Sequence, residues 1–213
     1  MAGGEELKLL GWWAPGVSPY VLRAQMALAV KGLSYEYLPE DRWCKSDLLI
    51  ASNPVYKKVP VLIHNGKPIC ESLLIVEYLD DALGLPGNGK PILPADPYSR
   101  AVARFWAAYA NDKLFPSCAG ILKTVKQEER AGKVEETLSG LRHLEAILAE
   151  CSEGEAEALF FGGDSIGFLD IALGCYLPWV AEPVKALLPG VDKLEEYITT
   201  VLYPKWNIAV TGN

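Results

Sequence analysis

Residues 83–97 hold three glycines and four prolines in fifteen positions, and this stretch most limits how the chain can fold. Proline removes a backbone donor and glycine disfavours regular structure, so neither a helix nor a strand runs through it. The chain breaks there into parts with different patterns. Before the break, short apolar runs alternate with amphipathic stretches. After it, every periodic segment reads as helix. The boundary falls near residue 88, giving a mixed α/β domain over 1–88 and an all-helical domain over 89–213.

Within the first part, Glu6–Trp12 reads as a buried strand. Ser18-Pro19 then opens a helix, with Ser at the N-cap and Pro at the first helical position. Leu22, Met26, Ala29 and Val30 give that helix one apolar face, and Gly32 ends it. Leu33–Leu38 is a second strand and Trp43–Ala51 a short second helix. Val59–His64 and Lys67–Cys70 flank Asn65-Gly66, which supplies the positive φ of a tight hairpin turn. Pro60 and Pro68 belong at a strand start or edge, because neither donates to a ladder. Ser72 caps a third helix that faces Ile75, Tyr78, Leu79 and Ala82 inward. The order is βαβα followed by ββα. In the second part, Tyr98–Leu114, the stripe Val134, Leu138, Leu141, Leu144 and Leu148, then Phe168–Val180 and Val191–Leu202 are helical.

Composition excludes several classes of function. The chain carries 20 basic and 27 acidic residues, a net charge of −7, without a basic cluster. Nucleic acid is therefore not an expected partner. Half of the residues are hydrophobic and 22% are charged, which excludes disorder. The most apolar run, Ile166–Ala181, is too short to span a bilayer and contains Asp170 and Pro178, so it reads as a buried helix. Met1–Lys8 is acidic and leads into no long apolar run, unlike a secretory or transit signal. Cys44, Cys70, Cys118, Cys151 and Cys175 form no CxxC, and His64 and His143 are the only histidines. Reduced thiols in the cytosol and no metal site are the expectation.

Several segments carry a family resemblance. Leu9-Leu10-Gly11, Ser18-Pro19-Tyr20-Val21-Leu22-Arg23, Lys31-Gly-Leu-Ser-Tyr-Glu36, and the run from Asn53 through Val59-Pro60 to Asn65-Gly66 follow one another in order. With Pro68-Ile-Cys-Glu-Ser72, Leu93-Pro-Ala-Asp-Pro97, Ala103–Ala108 and Phe161-Gly-Gly-Asp-Ser165, they closely resemble plant glutathione S-transferases of the tau class. The resemblance implies a thioredoxin-like βαβαββα domain followed by an all-α domain. It implies a homodimeric cytosolic enzyme that joins the glutathione thiolate to small hydrophobic electrophiles. Glutathione is then a co-substrate, and no other cofactor is expected.

The chain departs from that pattern twice. Ala14-Pro15-Gly16-Val17 lengthens the loop before Ser18. After Cys175–Val180 the chain passes directly to Glu182–Leu194, which resembles the family's last helix, so the segment between is missing. That segment contributes to the hydrophobic pocket in the family. A second reading is therefore a glutathione-binding carrier without turnover, or a splice variant with impaired activity.

The chemistry required explains the residues. A free thiol of pKa ~8.5 is mostly protonated at neutral pH, and lowering that value by about two units takes ~2.7 kcal/mol. A helix N-terminus supplies ~0.3–1 kcal/mol and a hydrogen bond to a charged acceptor ~1.5–3. Ser18 at a helix start offers both, although the same Ser-Pro is also an ordinary cap. By resemblance Ser18 is catalytic and donates to the thiolate. Related classes with Cys there exchange thiols and disulfides, so Ser implies conjugation or peroxide reduction.

The resemblance also implies that Lys45 and Lys58 hold the glycine carboxylate. Val59, before a cis Pro60, pairs its backbone with the cysteinyl part. Ser72 takes the γ-glutamyl carboxylate at a helix N-terminus, and Glu71 takes the ammonium. Phe105, Trp106 and Tyr109 lie on neighbouring turns of one helix. They read as core, with one or two lining an apolar pocket. Gly167-Phe-Leu-Asp170 matches the family's capping box with Gly in place of Ser or Thr, and makes Asp170 structural.

Overall fold

The computed structural model describes residues 6–13, 18–83, 91–152, 160–163 and 165–176. The chain divides into two compact units, Met1–Lys90 and Pro91–Asn213. In the first, β1 (Leu7–Trp12), α1 (Pro19–Val30), β2 (Glu36–Glu40), α2 (Asp47–Ser52), β3 (Val61–His64), β4 (Lys67–Cys70) and α3 (Ser72–Leu83) follow in order. The strands form one sheet in the order β2-β1-β3-β4. β1 is parallel to β2 and antiparallel to β3, and β3 is antiparallel to β4. This is the mixed thioredoxin-like arrangement.

Burial follows strand position. The central strands β1 and β3 are apolar and covered on both faces, whereas β2 and β4 remain partly open. Pro39 and Pro68 sit on those edge strands, where a missing N–H costs no ladder bond. Asn65 and Gly66 both have positive φ, 49° and 76°, matching the right-handed twist of the β3–β4 hairpin. Leu9, Leu10, Leu22, Met26, Leu62, Ile75 and Leu79 are fully buried. Lys31 at the end of α1 meets Asp80 of α3 at 2.6 Å, both buried. Removing one member of such a pair costs ~3–5 kcal/mol.

Several sequence expectations are corrected in detail. β2 starts at Glu36 rather than Leu33, because Gly32 at φ 62° and the Leu33–Leu28 backbone bond spend residues turning the chain. α2 starts at Asp47 rather than Trp43, since Ser46 caps it by accepting from the Leu49 N–H. On α1, Ala29 is exposed and Val30 half-buried; the buried face instead includes Val21, Ala24, Ala27 and Leu28. Ala82 is exposed and Tyr78 half-buried, while Val76 and Leu83 are buried.

The second unit contains α4 (Pro97–Tyr109), a π-helical turn over Ala110–Leu114, α5 (Phe115–Lys123), α6 (Gln127–Ser152) and α7 (Phe168–Gly174). The helix expected to end at Leu114 instead continues through α5. Pro116 has no N–H to return to the preceding turn, and the helix widens into a π turn just before it. Leu114, Cys118, Leu141, Leu144, Leu148 and Phe160 form the core, with Trp106, Phe161, Ile166 and Leu173 packed against it. Val134 and Leu138 are half-buried.

Asp170 is fully buried and accepts from the backbone N–H groups of Phe161 (3.1 Å), Gly162 (3.1 Å) and Gly167 (2.8 Å). Gly167 has no side chain to complete a capping box, and packing explains its identity. A Cβ there would lie 2.9 Å from the Gly162 Cα, so the two backbones touch where a side chain would intrude. α7 ends at Gly174, short of the expected Val180. Residues 177–180, the Val191–Leu202 helix and the segment after Trp179 lie outside the described residues, as does the 14–17 loop. No helix is long and apolar enough to cross a membrane among the described residues.

Candidate functional site

The register of the sheet brings the N-terminal unit's candidate residues to one edge. Trp12 pairs with Glu40, so β1 and β2 end together. Leu10 pairs with Val61, and Val61 with Cys70, so β3 begins and β4 ends at that same edge. The chain leaves β1 toward Ser18, leaves β2 toward Lys45, enters β3 through Val59-Pro60, and leaves β4 through Glu71-Ser72. Residues far apart in sequence thus share one rim.

Ser18 is the N-cap of α1, 7% exposed, with extended backbone. Its Oγ accepts from the Val21 N–H at 3.4 Å, and its carbonyl accepts the first helical bond from Leu22 at 3.0 Å. A serine hydroxyl has two lone pairs and one hydrogen, so capping leaves the hydrogen free to donate. Capping and donation to a thiolate are compatible at one atom. The end of β1 is held by Tyr37, whose hydroxyl donates to the Trp12 carbonyl at 2.6 Å. Burial, with Tyr35 adding repulsion, pushes the Tyr37 hydroxyl up to about 12. Gly11 is required beneath it, because a Cβ there would lie 2.3 Å from the Tyr37 oxygen.

Lys45 is exposed and sits between two fixed turns. Asp41 accepts from the N–H groups of Trp43 (2.6 Å) and Cys44 (3.2 Å). Glu40, buried at the end of β2, accepts from the Ser46 N–H at 3.0 Å and from its hydroxyl at 2.5 Å. Lys58 is also exposed. Its carbonyl accepts from the Asn53 side-chain amide at 3.0 Å, while Asn53 Oδ1 accepts from the Tyr56 N–H at 3.1 Å. Lys57, its neighbour, has φ 52°. Two ammonium groups with ordered backbones and free stems suit a small carboxylate.

Val59 is buried, and the Val59–Pro60 peptide is cis. Glu71 is exposed at φ 70°, a left-handed conformation costing ~1–3 kcal/mol for a non-glycine residue. It turns the chain sharply from β4 into α3, and its carbonyl accepts from the Ile75 N–H at 2.9 Å. Glu71 therefore occupies the cap position, and Ser72 is the first helical residue rather than the cap. The Ser72 hydroxyl, 7% exposed, accepts from Arg23 Nη1 at 2.9 Å. Cys70 beside it has its thiol pushed up by burial and by the Glu71 charge, so it is a poor nucleophile.

Arg23, Asn53 and Glu40 were not among the residues singled out from sequence. Arg23 was visible as a lone charge inside Val21-Leu22-Arg23-Ala24, and Asn53 as the start of an Asn-Pro turn. Glu40 gave no signal.

In the helical unit, Phe105 is 62% exposed and is not core, because the neighbouring Ala107 and Ala110 turn inward instead. Trp106 packs on the core and meets Phe105 and Tyr109 edge-on at 5.1 and 5.5 Å. Tyr109 Oη lies 3.3 Å from His143 Nδ1. Tyr109 borders a cavity of about 620 Å³ that is also lined by Lys113, Ser117, Lys133 and Glu136; Phe105 and Trp106 do not border it. Among the described residues, no three His, Cys, Asp or Glu side chains gather as metal ligands.

Comparison with known proteins identifies the family and the fold. Residues 5–81 match the glutathione S-transferase N-terminal domain family. A probable glutathione S-transferase of Oryza sativa subsp. japonica, GSTU6, is 51% identical over 84% of this chain and 74% of its own length. Glutathione S-transferase U17 of Arabidopsis thaliana is 48% identical over 94% of this chain and 84% of its own. The crystal structure of a tau class enzyme from mango superposes with a TM-score of 0.78 at 46% identity, covering 98% of this chain and 89% of that one. A rice enzyme solved in complex with glutathione gives 0.76 at 35% identity, covering 96% and 95%. This chain belongs to the plant tau class of glutathione S-transferases.

Proposed function

We propose that this glutathione transferase binds glutathione along the rim of its N-terminal sheet and joins the thiolate to small hydrophobic electrophiles. The observation that carries the reading is Ser18: a helix-capping hydroxyl whose own hydrogen remains available, at the positive end of α1. Glutathione lies with its thiol at Ser18, its glycine carboxylate toward Lys45 and Lys58, and its γ-glutamyl end at Glu71 and Ser72. The Val59 backbone pairs with the cysteinyl peptide. The rice relative in complex with glutathione supports a site of this kind.

In the reaction the thiolate sulfur attacks the electrophilic carbon. With an aryl halide a carbon–sulfur bond forms, the carbon–halogen bond breaks, halide departs, and the thiol proton has gone to solvent. Catalysis combines proximity with stabilisation of the thiolate by preorganised donors, and needs no cofactor besides glutathione as co-substrate. Phe105, Trp106 and Tyr109 belong to the face that receives the electrophile. The enzyme acts in the cytosol as a homodimer, in detoxification.

The test pairs steady-state conjugation of a generic aryl halide with equilibrium glutathione binding. Turnover with binding is the expected result. Binding without turnover assigns the chain to the carrier reading instead.

A further inference from the structure

We propose that Tyr37 is a positioning residue for the reaction: its hydroxyl anchors the end of β1 beside the first turn of α1 and so fixes where Ser18 meets the glutathione thiol. This rests on the reading of Ser18 as the thiolate donor. Tyr37 belongs to β2 and stands opposite Leu9 in the parallel register. Side chains alternate along a strand, so Leu9 and Gly11 share one face. The Tyr37 ring leans along that face into the space that Gly11 leaves. The point a Gly11 Cβ would fill lies 2.8 Å from Tyr37 Cζ and 2.8 Å from Cγ1 of the buried Val21. Phenol and valine therefore share one hollow above Gly11.

Each of these contacts lies beside Ser18. Trp12, whose carbonyl accepts from the Tyr37 hydroxyl at 2.6 Å, is the last residue of β1. Val21 is the residue whose N–H donates to Ser18 Oγ, at 3.4 Å. One side chain from the neighbouring strand thus bears on the strand end before Ser18 and on the helical turn after it. A cap bond of that length directs the Ser18 hydroxyl only weakly, so its aim is set by the backbone on either side. Burial, with Tyr35 adding repulsion, raises the Tyr37 hydroxyl to about 12. The phenol stays protonated at any ordinary assay pH, and its hold on Trp12 does not titrate. Tyr37 acts through Ser18 and not on the thiol itself.

The experiment is a double-mutant cycle of Tyr37→Phe and Ser18→Ala. Each variant is followed by aryl-halide conjugation with glutathione saturating, and by the thiolate absorption of the binary complex across pH. Phenylalanine keeps the ring over Gly11 and removes only the oxygen. Tyr37→Phe is expected to lower turnover about fivefold below about pH 6.5 and to raise the ionisation of the bound thiol by a matching ~0.7 unit. KM for glutathione should stay within about twofold, because the groups that hold its two ends are untouched. In the Ser18→Ala background the same change is expected to alter turnover by less than about 1.5-fold and to leave the thiol ionisation where Ser18→Ala alone puts it.

A merely structural tyrosine lowers the melting temperature and leaves the ionisation of the bound thiol unchanged; that result overturns the proposal. A Tyr37→Phe effect as large without Ser18 as with it also overturns it, since the phenol then acts by another route. If Ser18→Ala shifts turnover and ionisation while Tyr37→Phe shifts neither, the proposal alone fails. If Ser18→Ala shifts neither, the donor reading fails and the proposal with it.

Discussion

Replacing Ser18 separates two roles that share one oxygen. Ser18→Ala removes both the cap and the thiolate donor. The Val21 N–H to Oγ distance of 3.4 Å is long, so the cap is worth the lower part of the usual ~0.5–2 kcal/mol. The loss in melting temperature should be only about 2 °C for a chain of this size. The donor matters more. A hydrogen bond to a charged acceptor is worth ~1.5–3 kcal/mol, equivalent to about 10- to 150-fold in rate at a pH where the thiol is mostly protonated. Without it the bound thiol ionises about one to two units higher.

The variant's deficit in kcat/KM for the electrophile, with glutathione saturating, is therefore full below about pH 6.5, where both thiols are mostly protonated, and shrinks as pH rises past both thiol values, toward about pH 9. Ser18→Asp is the sharper variant. Aspartate caps helices as well as serine does, yet as a carboxylate it only accepts and repels the thiolate. Its melting temperature should match the parent, while its activity falls below that of Ser18→Ala. The assay is aryl-halide conjugation across pH with thermal melts in parallel. Retained activity in Ser18→Asp, or a deficit in Ser18→Ala that does not vary with pH, refutes the reasoning.

Three further outcomes follow from other sites. Asp170→Ala leaves three buried N–H groups without their carboxylate and should destabilise the helical unit by on the order of 3–5 kcal/mol, read by denaturant unfolding. Glu71→Gly should be ~1 kcal/mol more stable than Glu71→Ala, because only glycine accepts φ 70° without strain. Both should bind glutathione equally weakly, as measured by calorimetry. Asp96 caps α4, and hydrogen bonds from the Ser99 N–H and then its hydroxyl hold its carboxyl below the usual range. Its stabilisation is therefore present above the unfolded value and lost as pH falls through the folded one. The melting difference between the parent and Asp96→Ala should be fully present at about pH 6 and shrink only as pH falls below the usual carboxylate range.

Much of the N-terminal unit was legible because its signals are local. Ser18-Pro19 and Asn65-Gly66 each impose backbone geometry without help from the rest of the chain. The Gly- and Pro-rich break marked the division of the chain for the same reason. Local signals failed where tertiary pairing decides. β2 begins only where Glu36 meets Lys8, and α2 only where Ser46 caps it. Ala29 and Ala82 fit a helical stripe but face outward, since alanine gains little from burial and larger neighbours fill the core. Arg23 is the clearest case. A lone arginine in an apolar helix says that something polar must meet it, but its partner Ser72 is 49 residues away. Glu40, Asn53 and Ser72 likewise hold the rim through bonds that no spacing rule predicts.

The central claim is that the sheet rim lowers the ionisation of a glutathione thiol at Ser18. Difference absorption of the thiolate in the binary complex, titrated against pH, measures it directly. The account predicts ionisation about two units below the free value of ~8.5, with that displacement largely lost in Ser18→Ala. A bound thiol that ionises at its free value in the parent enzyme would contradict it.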